Sequence, residues 1–332
     1  MNRVARFSLI AVALAVSLPV ITSFARAEDK VVRLIWFPRF SPDGKYLASA
    51  HGSWDGQEGG EVRVWDSATG KPKFVIPVDR GIRSVGWGPK GKFLAASGYG
   101  GFLYFYDADT GKPTMQMKFP ASVEVLQISP DEKQIVTAHG NGSVRVTELP
   151  SKRELQHWNQ VHRGGIWGMR LSPNGKLLAT AGKDAFVRVY DMASYKVLHE
   201  LRHPGETNGL AFTKDNKFLF TGCSDSEIRV FDVTTGEEVR SLQGHSAGSV
   251  TDLQFSPDGK LLASAGIDQT VRLWDLSDFE KPALKSTIQA HSGLVFGVDI
   301  SPNGKLLASA GWDDLLRVVE LATMEELWTW SR

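Results

Sequence analysis

Four sets of residues in this chain carry the ingredients of acyl-transfer chemistry at a repeated spacing. They are His245, Ser264 and Asp268; His162, Thr180 and Asp184; His203, Thr221 and Asp225; and His291, Ser309 and Asp313. In a catalytic triad a histidine takes the proton of a serine hydroxyl while an aspartate holds the imidazole in its working tautomer. An enzyme needs one such set. Here the set occurs four times and decays from copy to copy, because the aromatic residue that follows it is Trp274, Tyr190 or Phe231 and finally only Val319. Repetition with decay points to a part used structurally in every copy.

The elements that carry these sets are short strands. From His245 to Asp275 the chain reads as a first strand with Val250, Leu253 and Phe255, the turn Ser256-Pro257-Asp258-Gly259, an apolar strand over 261–265, a second turn, and an alternating strand that ends in Trp274-Asp275. Proline fixes φ at the second turn position and glycine is free to take φ > 0. Each strand is too short for a helix and is bounded by turn residues. The turn recurs at Ser41, Gly88, Ser129, Ser172, Thr213, Ser256 and Ser301, with spacings of 47, 41, 43, 41, 43 and 45 residues. The strand-closing pair recurs as Trp65-Asp66, Tyr106-Asp107, Thr147-Glu148, Tyr190-Asp191, Phe231-Asp232, Trp274-Asp275 and Val319-Glu320. Fourth strands follow at 74–78, 115–119, 197–201, 239–242 and, at the C-terminus, 326–330; their charged residues suit edges that must not pair with another molecule.

A period of about 40–45 residues with four short strands and a Trp-Asp close is the pattern of a propeller blade. The chain resembles the WD-repeat (Trp-Asp repeat) β-propellers. The resemblance implies an all-β fold, a seven-bladed β-propeller with four antiparallel strands per blade over residues 28–332. It also implies that the histidine, aspartate, serine or threonine and tryptophan of a blade form a buried hydrogen-bond chain, a pin. Residues at the pin positions are His245, Ser264, Asp268 and Trp274 in blade 6 and His162, Thr180, Asp184 and Tyr190 in blade 4. Blade 5 keeps His203, Thr221 and Asp225, blade 7 keeps His291, Ser309 and Asp313, and blades 1 to 3 are expected to have lost most of the pin. The inner strand of blade 1 starts almost directly after the leader, so strand exchange between the termini is expected to be absent or reduced to residues 30–32, and closure to rest on side-chain packing between blades 7 and 1.

Residues 1–27 read as a secretory signal peptide: Arg3 and Arg6, an apolar run over 7–21, then Ala25-Arg26-Ala27. Cleavage there places the protein outside the cytoplasm, periplasmic or extracellular, with no membrane insertion afterwards. Removing Arg3, Arg6 and Arg26 leaves 35 basic against 37 acidic residues, a net charge of about −2 and no basic run, which argues against nucleic acid as a partner. The single cysteine, Cys223, cannot form an internal disulfide. No phosphate loop, glycosidase carboxylate pair or metal-ligand spacing appears, and no cofactor or metal is expected.

The candidate site lies on the face that carries the loops between second and third strands. Blade 1 stretches that loop by six residues, from His51 to Gly60, around Trp54, Asp55 and Glu58. The residue before the loop's acid position is Trp54, Tyr99, Gly140, Lys183, Ser224, Ile267 and Trp312 through the seven blades; the residue opening each inner strand is Trp36, Arg83, Glu124, Trp167, Asn208, Thr251 and Phe296. Blades 7, 1 and 2 thus offer Phe296, Trp312, Trp36, Trp54, Arg83 and Tyr99, the composition of an interface hot spot. The expected function is a non-catalytic, monomeric scaffold that binds a protein or peptide there. The alternative is a propeller enzyme or small-ligand binder that uses the central channel.

Overall fold

The computed structural model describes residues 33–53, 56 and 58–331. The signal-peptide reading over 1–27, residues 30–32 and Trp54 lie outside the described residues. What is described is a seven-bladed β-propeller, seven four-stranded antiparallel sheets each built from four consecutive strands. Blade 1 runs through Arg33–Phe40, Tyr46–Ser53, Gly60–Asp66 and Pro72–Val78, and blade 7 through Val295–Ile300, Leu306–Gly311, Leu315–Glu320 and Glu326–Ser331.

The recurring turn closes on itself. In blade 6 Gly259 N–H donates to Ser256 O (2.9 Å), Ser256 Oγ to Asp258 Oδ1 (2.5 Å), and Leu261 N–H to Ser256 Oγ (2.9 Å). Gly259 takes φ +75°, which a side chain would resist. Ser41, Ser129, Ser172, Thr213 and Ser301 bond their own Asp or Asn two residues on in the same way. The acid of the strand-closing pair has a second local duty: Asp66 Oδ1 accepts from Thr69 N and Oγ1 at 2.9 and 2.7 Å, and Asp107 does the same with Thr110. In the six blades whose turn opens on Ser or Thr, the turn's own side chains take up its backbone donors, whereas in blade 2, with Gly88 in place of the hydroxyl, Lys90 N–H donates to Glu132 of blade 3.

Second strands are buried on both faces, hence the near-continuous apolar runs such as Leu261–Gly266. Between every pair of neighbouring blades lies one apolar cluster, and the one joining blades 7 and 1 packs Ile35, Phe40, Leu47 and Trp65 against Ala308, Ala310, Leu316 and Val318. Trp328 and Trp330 of the last strand lie 6.1 and 5.3 Å from the Trp65 ring, and Trp328 Nε1 donates to Ser67 O (3.0 Å). Phe40 N–H donates to Asp299 Oδ2 across the same seam (2.7 Å). Among the described residues no strand is shared between the first and last blades, so the ring is closed by packing and these hydrogen bonds.

Candidate functional site

In blade 6 the pin is complete. His245 Nδ1 stands 3.0 Å from Asp268 Oδ1 and Nε2 stands 2.8 Å from Ser264 Oγ, which also receives Trp274 Nε1–H at 2.9 Å. The carboxylate can only accept, so Nδ1 donates, Nε2 accepts the serine proton, and the serine oxygen accepts from the indole. Blade 4 repeats this with His162, Asp184 (2.7 Å) and Thr180 (2.9 Å), next to the buried Tyr190, and blade 7 with His291, Asp313 (2.8 Å) and Ser309 (2.9 Å). The serine and threonine hydroxyls are buried and each is hydrogen-bonded to its histidine, so that they serve the pin and not an acyl transfer.

Two expectations need correction. In blade 5 His203 binds Thr221 (2.8 Å) but turns Nδ1 to Leu201 O (3.1 Å), while Asp225 pairs with Arg229 at 2.6 Å. The arginine fork offers two charge-assisted bonds, and the aspartate takes these over one imidazole N–H. Blade 1 has not lost the pin, and blade 3 keeps only its bond from histidine to threonine. Both use a histidine from the second strand itself: His51 Nε2 is 2.8 Å from Ser49 Oγ, which accepts Trp65 Nε1–H at 3.0 Å, and His139 Nε2 is 3.0 Å from Thr137 Oγ1. The available signal was a histidine two residues beyond the pin hydroxyl, on the same strand face. Blade 2, with Ala96 and Tyr106 at these positions, is the unpinned one among the described residues.

These pins give the protein an acid signature. Burial holds His139 and His203 at about 4, and Asp268 is held at about 2 by its hydrogen bonds from Ser246 and Thr270 and by His245, against the opposing effect of its burial. The unfolded histidines take up protons near 6.5, so their contribution to stability is full above that pH and is lost as pH falls toward 4. Asp268 adds a further loss between 3.8 and about 2. Denaturant midpoints measured from pH 7.5 to 4.5 should fall, and the double variant His139→Gln, His203→Gln should show a shallower fall; an identical slope would place the acid response elsewhere.

The top-face residues are aimed by a local defect in the sheet. Inner strands are bulged at the position that sequence spacing singles out. Arg83, Glu124, Trp167, Thr251 and Phe296 each sit at a register shift against the second strand. A bulge re-aims the side chain it carries. Blade 1 differs: Trp36 stays paired with Ala50 and the bulge falls on Phe37-Pro38, where a residue without an N–H is tolerated.

These side chains form one continuous ribbon over the channel mouth. Trp312 lies 5.9 Å from Phe296, and Phe296 lies 4.6 Å from Trp36. The Arg83 guanidinium stands 4.4 Å over Trp36 and 5.6 Å over both Tyr99 and Trp167, while pairing with Glu124 at 2.6 Å. Lys183 Nζ continues it, 4.9 Å over Trp167. The structure thus brings Trp36, Arg83, Tyr99, Phe296 and Trp312 together. It also extends the patch to Glu124, Trp167 and Lys183, so that it runs across blades 7, 1, 2, 3 and 4. Trp36 and Phe296 are buried at 2% and 9%, beneath their neighbours; Trp312, Tyr99 and Trp167 are half-buried and Lys183 is exposed. The inserted loop bears on this ribbon, since a Cβ on Gly56 would stand 2.0 Å from Tyr99 Cγ and its φ is +66°. Only glycine lets that backbone lie flat on the ring.

Below the ribbon the channel is crossed by charges that sequence reasoning missed. Asp252 of blade 6 accepts from Arg39 of blade 1 (3.3 Å) and Arg170 of blade 4 (2.8 Å). Arg39 also donates to Val298 O and Arg170 to Leu210 O, both at 3.1 Å. Asp299 sits beside them, and burial raises its carboxyl to about 6. The remaining free volume is about 30 Å³, room for one or two waters and far below the several hundred Å³ of a small-molecule site. The cavity beside these charges is too small for a quinone, haem or sugar.

The chain is similar to known proteins along most of the ring. A family model described as "WD domain, G-beta repeat" matches residues 21–66, 153–191, 195–232, 236–275 and 283–320, more than half of the chain. Residues between 66 and 153, which include the unpinned blade 2, fall outside these matches. The chain is 26% identical over 251 residues to eukaryotic translation initiation factor 3 subunit I of Culex quinquefasciatus, covering 66% of this chain and 76% of that protein. It is 25% identical over 243 residues to the serine-threonine kinase receptor-associated protein of Gallus gallus, covering 72% of this chain and 66% of that protein. Protein hir-1 of Neurospora crassa is 29% identical over 181 residues, 51% of this chain but 15% of that protein. With its seven blades, its repeated pins and these matches, the chain belongs to the WD domain, G-beta repeat family.

Proposed function

We propose that this chain is a non-catalytic scaffold that holds a protein or peptide partner on its top face. The ribbon from Trp312 to Lys183 is the observation that carries this reading. Half-buried aromatic rings held rigid by a buried layer, with cations over their faces, lose little entropy on binding and can each carry about 2 kcal/mol or more. The filled channel favours this over a small-ligand binder. So do the names of two relatives, one a subunit of a factor and the other a receptor-associated protein. We further propose that the protein acts as a monomer outside the cytoplasm after cleavage between Ala27 and Glu28.

The test uses the exported protein, whose intact mass should correspond to a chain that starts at Glu28. Immobilised on a support, it should capture a partner from the host envelope fraction. Lys183→Glu, at an exposed position, should leave the thermal midpoint within a degree or two and weaken capture about tenfold. Trp312→Ala should weaken it about thirtyfold, the equivalent of about 2 kcal/mol. Undiminished capture by both variants would overturn the top-face site, and a mature chain starting at Met1 would overturn the export.

A further inference from the structure

The pin residue that closes the third strand is Trp65, Tyr106, Thr147, Tyr190, Phe231, Trp274 and Val319 through the seven blades. Five blades place a ring there, and blades 3 and 7 do not. Both of these blades have a cavity at the same place. One, of about 360 Å³, is lined by Arg145, Thr147 and Glu154; the other, of about 190 Å³, is lined by their counterparts Arg317, Val319 and Glu326 together with Ser309. In blade 3 Phe119 packs edge-on against His139 at 4.9 Å, and the cavity rim carries Lys118 and Lys152. The blade 7 cavity instead has apolar walls from Val271, Ile288, Ala290 and Leu307.

Blade 6 shows what such a space holds when it is filled. Trp274 is 3% exposed and donates its N–H to Ser264 Oγ. In blade 7 the equivalent acceptor, Ser309 Oγ, is in place and lines the cavity. His291 Nδ1 donates to Asp313, so Nε2 takes the serine proton and the serine oxygen keeps acceptor capacity on the side where blade 6 has its indole. Arg317 offers a second partner. Its Nη1 is bonded to Glu326 (3.0 Å), while its Nε is buried without a hydrogen-bond partner. In blade 1 the equivalent Arg63 lies 5.6 Å from the Trp65 ring.

The size of the ring can be read from the neighbouring blades. The tryptophan of blade 6 fits because Gly244 stands before the pin histidine, where a Cβ would be 2.6 Å from Trp274 Cη2. Blade 7 has Ala290 at that place, and its methyl occupies the far edge of an indole. Blade 4 has Val161 there and fills the space with the single ring of Tyr190. We propose that the blade 7 cavity is a binding slot for a phenol ring, the tyrosine side chain of a bound partner, with its hydroxyl donating to Ser309 Oγ and its face against Arg317. The source of the tyrosine rests on the scaffold reading; the slot itself does not.

The whole mature chain should be titrated with p-cresol, toluene and the capped tripeptide Gly-Tyr-Gly, followed by NMR. p-Cresol should bind saturably and shift the resonances of Ser309, Val319 and Ala290, toluene should bind at least tenfold more weakly, and the tripeptide at least as tightly as p-cresol. Val319→Tyr should abolish p-cresol binding and raise the thermal midpoint, because the chain then supplies its own ring. Ala290→Leu, which plugs the opposite wall, should also abolish binding and stands in if the first variant does not fold. Absence of p-cresol binding, or equal binding to the plugged variant, would overturn the slot. Binding of p-cresol without the tripeptide would overturn the tyrosine and leave a small-phenol site. If the slot fails while Lys183→Glu still loses its partner, the scaffold reading stands alone.

Discussion

Replacing Asp252 by alanine is expected to destabilise the ring by about 3–5 kcal/mol, the cost of removing one member of a buried ion network and leaving the others unpaired. Asp252 is 3% exposed and is the shared anion for Arg39 and Arg170, whose guanidiniums approach it from opposite sides of the channel. Neither arginine can shed its charge at any relevant pH. Burial and the neighbouring Arg39 already push Arg170 below the ordinary arginine range. Asp299 should compensate in part. Its carboxyl is raised to about 6 by burial, with Asp252 contributing, so loss of Asp252 makes it more readily ionised. A carboxyl raised in the folded state contributes stability below its unfolded value of 3.8 that is lost as pH rises through about 6. Asp252→Ala should therefore be costly at pH 7 and should weaken that loss between pH 4 and 6. Urea denaturation at several pH values measures both. A cost below about 1 kcal/mol at pH 7 would mean that the two guanidiniums are hydrated in place.

Trp65→Ala should cost a comparable ~3–5 kcal/mol. Trp65 is 1% exposed and combines three duties: it donates to Ser49 in the rebuilt pin of blade 1, packs on Trp328 and Trp330 of blade 7, and fills the centre of the cluster that closes the ring. Trp65→Phe keeps most of the packing and removes the hydrogen bond, so it should cost about 1–2 kcal/mol. Thermal unfolding of the two variants separates the contributions. If alanine costs no more than phenylalanine, closure is carried by the inner strands and the C-terminal tryptophans are incidental.

The fold was legible in the sequence because in six of the seven blades a hydroxyl and the Asp or Asn two residues on tie the same turn. A serine, an acid two residues on and a glycine at positive φ specify the same turn wherever they occur. The top-face positions were legible for a related reason, since the bulge falls five residues before that serine in most blades and aims whatever residue stands there. Burial was not legible. Trp36 and Phe296 look the same in sequence as Trp312, yet they are covered by their neighbours, which depends on three blades meeting. The channel network was invisible for the same reason: Arg39 and Asp252 are 213 residues apart and Arg170 and Asp252 are 82 apart, and only ring closure makes them neighbours. In blades 1 and 3 the pin histidine changed its strand of origin, so a search at the usual loop position finds nothing while the bond from histidine to hydroxyl survives.

Among the described residues each sheet is completed by four consecutive strands, and none borrows a strand from the far end of the chain. Every loop between blades is then a place where the polypeptide could begin or end without dividing a sheet. The seam between blades 7 and 1 differs from the other six in having no covalent link, and its tryptophans and its bond from Phe40 to Asp299 stand in for the missing peptide. Rejoining the ends and opening the chain before another blade would move the break to a junction held by other contacts, such as that of blades 3 and 4, where Trp158 meets Tyr190 and Tyr195. The ring has no topological starting point, but it has an energetic one, set by the contacts that hold each junction.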